Sequence, residues 1–157
     1  MTLYIENNKK TITVDYLRMN QLKNNEISTI LSETTNESVI DYISRNYKLS
    51  INDVKNNKNK LNWDLVSMNT KLSKTVTNLF IDKLNMNQWV KHRVEESRFY
   101  SFINDNNERV DWNYLQKNVE LSETFVEFFI EYLDIPKLLK YQTHISYYTI
   151  MYYQERY

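Results

Sequence analysis

Apolar residues recur along the chain in short runs with helical spacing, and each run follows a side chain able to accept a backbone hydrogen bond. Phe125, Val126, Phe129 and Tyr132 form one such stripe behind Ser122, and Val76, Leu79 and Phe80 form another behind Ser73. Only the N-terminus departs from this pattern. There Leu3-Tyr4-Ile5 and Thr11-Ile12-Thr13-Val14 flank the polar Asn7-Asn8-Lys9-Lys10, which predicts a small β-hairpin within residues 1–14. Polar stretches at Lys55-Asn56-Asn57-Lys58-Asn59-Lys60 and Asn104-Asp105-Asn106-Asn107-Glu108 predict exposed loops between helices.

The helical runs repeat. Leu61-Asn62-Trp63 leading to Asn69-Thr70-Lys71-Leu72-Ser73 has the same internal spacing as Val110-Asp111-Trp112 leading to Asn118-Val119-Glu120-Leu121-Ser122. Weaker copies begin at Val14-Asp15-Tyr16, Ile40-Asp41-Tyr42, Leu84-Asn85-Met86 and Leu133-Asp134-Ile135, at a period of about 21 to 26 residues. A second mark follows in each copy, at Ile27-Ser28, Leu49-Ser50, Leu72-Ser73, Leu121-Ser122 and Ile145-Ser146, with Val94-Glu95 a degraded version. Asn24, Asn46, Asn69 and Asn118 each stand four residues before the serine.

Helix ends give this pattern a physical meaning, because the first backbone N–H groups of a helix need an acceptor and Asp, Asn or Ser supplies one. Each copy then reads as two short helices. The first opens at Asp15, Asp41, Asn62, Asn85, Asp111 or Asp134 and closes near an asparagine in the left-handed position, and the second opens at the serine. The aliphatic residue before each serine is placed to clamp the start of that helix, and Pro136 falls in a first turn, where proline is tolerated. Units this short cannot bury their own apolar faces, so they must stack. The predicted fold is mainly α: about six helix-turn-helix repeats over residues 15–157, α-solenoid-like, with the hairpin as a cap, in a single domain of 157 residues.

Composition narrows the chemistry. The chain has no glycine and no cysteine, so glycine-rich phosphate loops, nucleophile elbows, disulfides and thiolate metal sites are excluded. Alanine is also missing, while asparagine, lysine, isoleucine and tyrosine abound. Their codons are AT-rich, a pattern that suits a phage, virus or mobile element of a low-GC host. Formal net charge is zero, which removes a general pull toward nucleic acid or anionic membrane. With no leader-like N-terminus and no long apolar run, a cytoplasmic protein without membrane contact is expected.

Of the two histidines, His92 could share a helix face with Glu95 and Glu96 in a geometry able to hold a metal, but an ordinary surface cluster is the expectation. The aspartates at repeat starts are accounted for by capping. Neither a catalytic residue nor a cofactor is expected, and the chain is read as non-enzymatic.

Two features remain without a folding duty. Glu120, Glu123, Glu127 and Glu131, spaced by three, four and four residues, predict one acidic stripe on one helix, in a region that is net acidic by three charges from Val110 onward. Such a stripe is either a solvated face or a surface for a basic groove. Tyrosines crowd the C-terminus at Tyr141, Tyr147, Tyr148, Tyr152, Tyr153 and Tyr157, and exposed ones serve well as interface anchors, to a partner or to a second copy. Tyr148, Tyr152 and Tyr153 are the candidates. Lys55, Lys58, Lys60, Lys71 and Lys74 form the main basic concentration, without interleaved aromatics for stacking on bases.

The Leu-Asn-Trp and Val-Asp-Trp starts followed by Asn-x-x-Leu-Ser resemble short Trp/Leu-Ser helical repeats of uncharacterised phage and large-DNA-virus proteins, over residues 14–157. The resemblance implies no catalytic residue. A small phage protein of this kind also resembles anti-CRISPR inhibitors, which implies a host protein as partner, a nucleic-acid-binding effector or nuclease held by stoichiometric binding. The alternatives are an RNA- or DNA-binding helical repeat protein and a homo-oligomeric structural protein.

Overall fold

The computed structural model describes residues 4–6 and 9–156. The protein is mainly helical, and its helices fall into two compact units, Met1–Asn85 and Met86–Tyr157. The first holds α1 (Val14–Met19), α2 (Asn24–Glu33), α3 (Glu37–Asn46), α4 (Ile51–Asn57), α5 (Trp63–Ser67) and α6 (Lys74–Leu79). The second holds α7 (Met86–Lys91), α8 (Tyr100–Asn104), α9 (Trp112–Asn118), α10 (Glu123–Phe129), α11 (Ile135–Tyr141) and α12 (Tyr147–Glu155). Ahead of α1, residues Tyr4–Glu6 and Lys9–Thr11 run antiparallel, Tyr4 opposite Thr11 and Glu6 opposite Lys9. Leu3 and the turn residues Asn7-Asn8 of the expected hairpin lie outside the described residues. Its second arm is shorter than expected, because Thr13 caps α1 and Val14 is already helical.

In both units helices pack mainly on the next but one: α1 on α3, α2 on α4, α3 on α5 and α4 on α6, then α7 on α9, α8 on α10, α9 on α11 and α10 on α12. Short helices demand this, since five to ten residues present fewer than about three turns of apolar surface. The first core collects Leu17, Ile27, Leu31, Val39, Ile43, Leu49, Val54, Val66, Leu72 and Val76; the second collects Trp89, Ile103, Leu115, Leu121, Phe125, Phe129, Leu138, Ile145 and Ile150.

Serine caps open helices where expected: Ser50, Ser73, Ser122 and Ser146 each accept a hydrogen bond from the backbone N–H three residues on. Asn62, Asp111 and Asp134 do the same for α5, α9 and α11, and α7 begins directly after Asn85. Two expected starts are corrected. Asp15 lies inside α1, which Thr13 caps, and Asp41 lies inside α3, which Asn36 caps. Ser28 is likewise interior to α2, its hydroxyl turned back to the Asn24 carbonyl. In each case the helix begins earlier, by two residues at α1 and by five at α2 and α3. No helix opens at Val94-Glu95; a 3₁₀ turn at Ser97–Phe99 leads into α8 without a side-chain cap.

Helix closure also differs from the left-handed asparagine expected. The residues after α3 and α9, Tyr47 and Val119, are extended rather than left-handed. Asn46 and Asn118 are instead the last helical residues, and their side-chain amides donate back to the carbonyls of Tyr42 and Tyr114, both at 2.9 Å. Asn20, Asn57 and Asn106 make the same bond to the carbonyl four residues earlier. The amide satisfies one otherwise orphaned carbonyl, so the chain turns out of the helix without a positive φ.

The two tryptophan segments match in detail. Trp63 donates from Nε1 to the Lys58 carbonyl and packs on Phe80, and Trp112 donates to the Asn107 carbonyl and packs on Phe129. Leu79, expected on the inner stripe of α6, is 55% exposed because the helix ends there. Buried amides join successive segments. Asn69 donates to the carbonyls of Ser44 and Tyr47, each at 2.8 Å, and Gln142 donates to those of Gln116 and Val119 at 2.7 and 2.9 Å.

Candidate functional site

The acidic and aromatic candidates belong to the second unit, where α10, α11 and α12 meet. Ser122 opens α10 and the helix buries Phe125, Val126 and Phe129, leaving Glu123 and Glu127 together on another side one turn apart. The expected single stripe is nevertheless broken. At seven residues α10 is too short to carry all four glutamates: Glu120 precedes the cap, and Glu131 sits in the 3₁₀ turn Ile130–Tyr132. Glu120 instead lines an open groove of about 340 Å³ with Lys117, Tyr141 and His144.

Helix α12 starts at Ser146, whose hydroxyl oxygen accepts from Thr149 N–H at 3.0 Å, and it buries Ile150 completely. Three of its tyrosines are left to solvent: Tyr147 is 54%, Tyr148 83% and Tyr152 57% exposed. Tyr148 and Tyr152 are four residues apart and share a face. Tyr153 is half-buried against α10. Its phenol pKa is raised above the ordinary tyrosine range, first by loss of hydration and then by the negative charges of Glu127 and Glu123.

Arg156 ties the two helices together. Its Nη1 donates to Glu127 Oε1 at 3.3 Å, and its guanidinium lies 5.4 Å from the centre of the Tyr152 ring. The structure therefore brings Glu123, Glu127, Tyr152 and Tyr153 into one surface, with Tyr148 on the same helix, and keeps Glu120 and Glu131 off the α10 helix face. Partly neutralised by Arg156, this surface is less acidic than the glutamate spacing suggests. Its equipment is that of recognition: flat rings, phenol hydroxyls and carboxylates.

Other candidates are reassigned. Helix α7 ends at Lys91, so His92, Glu95 and Glu96 do not share a helix face, and among the described residues no three His, Asp or Glu side chains gather as a metal site. Lys60 donates from Nζ to the carbonyls of Leu31, Ser32 and Thr34 at the end of α2, and Lys71 donates to the Asn46 carbonyl at 2.7 Å. These two lysines close helices. Among the described residues, no helix is long and apolar enough to cross a membrane.

Three residues of consequence carry no advance signal of their role. Gln142 stands four residues before Ser146, the place taken by asparagine in other copies, so only its position hinted at the clamp it makes. Arg93 is 1% exposed, with its guanidinium 4.3 Å from the Trp89 ring and Nη1 bonded to the Trp89 carbonyl. Desolvation lowers its pKa to about 10, against the opposing pull of Glu96. Tyr100, 3% exposed, donates to the Val94 carbonyl at 2.6 Å.

No family model, no curated protein and no solved structure matches the chain.

Proposed function

We propose that the chain is a non-enzymatic binding module, a stack of short helix-turn-helix repeats whose second unit presents α12 to a protein partner. The alternate packing of helices and the matched amide bonds of Asn69 and Gln142 support the repeat reading. The observation that carries the function is the exposure of Tyr147, Tyr148 and Tyr152 on one nine-residue helix that buries only Ile150. Leaving such rings in water forfeits apolar burial that a partner would recover, and tyrosine offers large contact area at small entropic cost. Glu123 beside this face favours a partner with a basic rim, the kind of surface a nucleic-acid-binding effector presents. Together with the AT-rich composition, this supports a phage or mobile-element inhibitor of a host defence nuclease, acting by occupancy.

The test is capture from host lysate with the wild type, the double variant Tyr148→Ala/Tyr152→Ala and the variant Glu123→Lys. A stoichiometric complex with a host protein is expected, abolished by the tyrosine substitutions and weakened by the charge reversal. A complex indifferent to both, or none with the wild type, overturns the reading.

A further inference from the structure

The first unit contains a groove of about 500 Å³ where α1, the segment after it and the end of α3 come together. Its charged lining is entirely cationic: Arg18, Lys48 and Lys71, with no Asp or Glu among the lining residues. Two other grooves differ in this respect. The one beside Lys60 carries Glu37 and Asp41, and the one beside His144 carries Glu120.

Folding does not require the charge at Lys48. Lys48 stands two residues before the cap Ser50, and Glu120 stands two residues before the cap Ser122, so the same place in the turn accepts either sign. Lys48 has no ion-pair or hydrogen-bond partner among the described residues. Lys71 uses one of its three N–H groups on the Asn46 carbonyl and keeps two. Arg18 shares one nitrogen with Asp15 at 3.4 Å, with both side chains well exposed, and its guanidinium rests 5.6 Å from the centre of the Tyr42 ring. That leaves most of its donor edge unused. Three cations gather around one concavity whose lining holds no carboxylate, only Arg18 being paired, with Asp15 outside the lining, and their mutual repulsion eases when an anion joins them. A compact anion with several oxygens fits so many separate donors better than a single carboxylate does.

We propose that this groove is an anion site that takes a phosphate group, held by Arg18, Lys48 and Lys71. It lies wholly within the first unit and stands or falls independently of the tyrosine face. The phosphate can come from a free polyphosphate or from a nucleic-acid backbone, and the chemistry of capture is the same.

The test uses the full chain, isotope-labelled, titrated at low salt with inorganic pyrophosphate and separately with a short single-stranded oligothymidylate, following amide resonances. Shifts are expected at Gln21, Asn46 and Lys48. Lys48→Glu should weaken binding by about tenfold or more, Lys48→Arg should retain it, and Lys55→Glu, exposed in the same unit outside the groove, should leave it unchanged. A response to pyrophosphate supports the site as one for free phosphates. A response confined to the oligonucleotide supports it as a backbone-phosphate site. The proposal is overturned if neither probe moves these resonances, or if Lys55→Glu weakens binding as much as Lys48→Glu, which would mean diffuse attraction rather than a site.

Discussion

Gln142 reaches back to Gln116 and Val119 in the same way that Asn69 reaches back to Ser44 and Tyr47: one side-chain amide donates two hydrogen bonds to two carbonyls at the end of an earlier helix. Both amides are buried, and each oxygen is used as well, Asn69 accepting from Lys71 N–H and Gln142 from Leu121 N–H. Removing either amide strands three backbone groups, all of them buried around Gln142 and partly buried around Asn69. Asn69→Leu and Gln142→Leu should each cost about 2–4 kcal/mol of stability, and urea unfolding followed by circular dichroism measures it. A loss below about 0.5 kcal/mol would show that the turns hold without their clamps.

Lys60 should act as a helix cap rather than as a surface charge. Its ammonium meets three carbonyls at the end of α2, where the helix dipole is negative. Lys60→Met should destabilise the protein by about 1–2 kcal/mol and speed amide exchange at Thr34, while Lys58→Met, exposed and nearby in sequence, should do neither.

Alkaline pH should unfold the protein partly through Tyr100. Burial raises its pKa above the unfolded value of 10, more than its bond with Ser122 lowers it. Below that value the phenol is neutral in both states and the contribution is intact; above it the unfolded chain ionises first and stability falls. Arg93 works oppositely over the next stretch, because its folded pKa of about 10 lies below the unfolded value, and its burial penalty fades as pH rises between them. Denaturation from pH 8 to 11 should show a shallower decline for Tyr100→Phe than for the wild type. The fold should survive that change, since Ser122 also donates to the Val94 carbonyl.

At the acid end, Asp134 is the residue to follow. The Lys137 backbone N–H, then the Lys137 side chain, hold its pKa below the ordinary 3.8. Its contribution is present above that value and is lost as pH falls through the depressed one. The stability difference between the wild type and Asp134→Asn, measured by denaturant unfolding, should therefore exist at pH 7 and close below pH 3.8.

What could be read from the chain were the features that depend on near neighbours. Ser50, Ser73, Ser122 and Ser146 cap helices because a cap needs only its own oxygen and an N–H three residues away. The same locality misled at Asp15 and Asp41, where Thr13 and Asn36 offered earlier caps and the helices open there instead. The four glutamates showed the limit from another side: their spacing fits a helix of twelve residues, and nothing nearby announced that α10 would tighten into a 3₁₀ turn at Ile130. The meeting of Arg18, Lys48 and Lys71 was beyond reach, because it depends on how α1 lies on α3 and α3 on α5.

The clamps at Asn69 and Gln142 bind main-chain oxygens, and a main-chain oxygen is the same whichever residue bears it. Ser44 and Gln116 occupy matching places and share nothing but that atom. A fastening of this kind places no demand on the side chains it fastens, so neighbouring segments are free to diverge until little but a rhythm of caps survives, and a duplicated segment would arrive with its own fastener already in place.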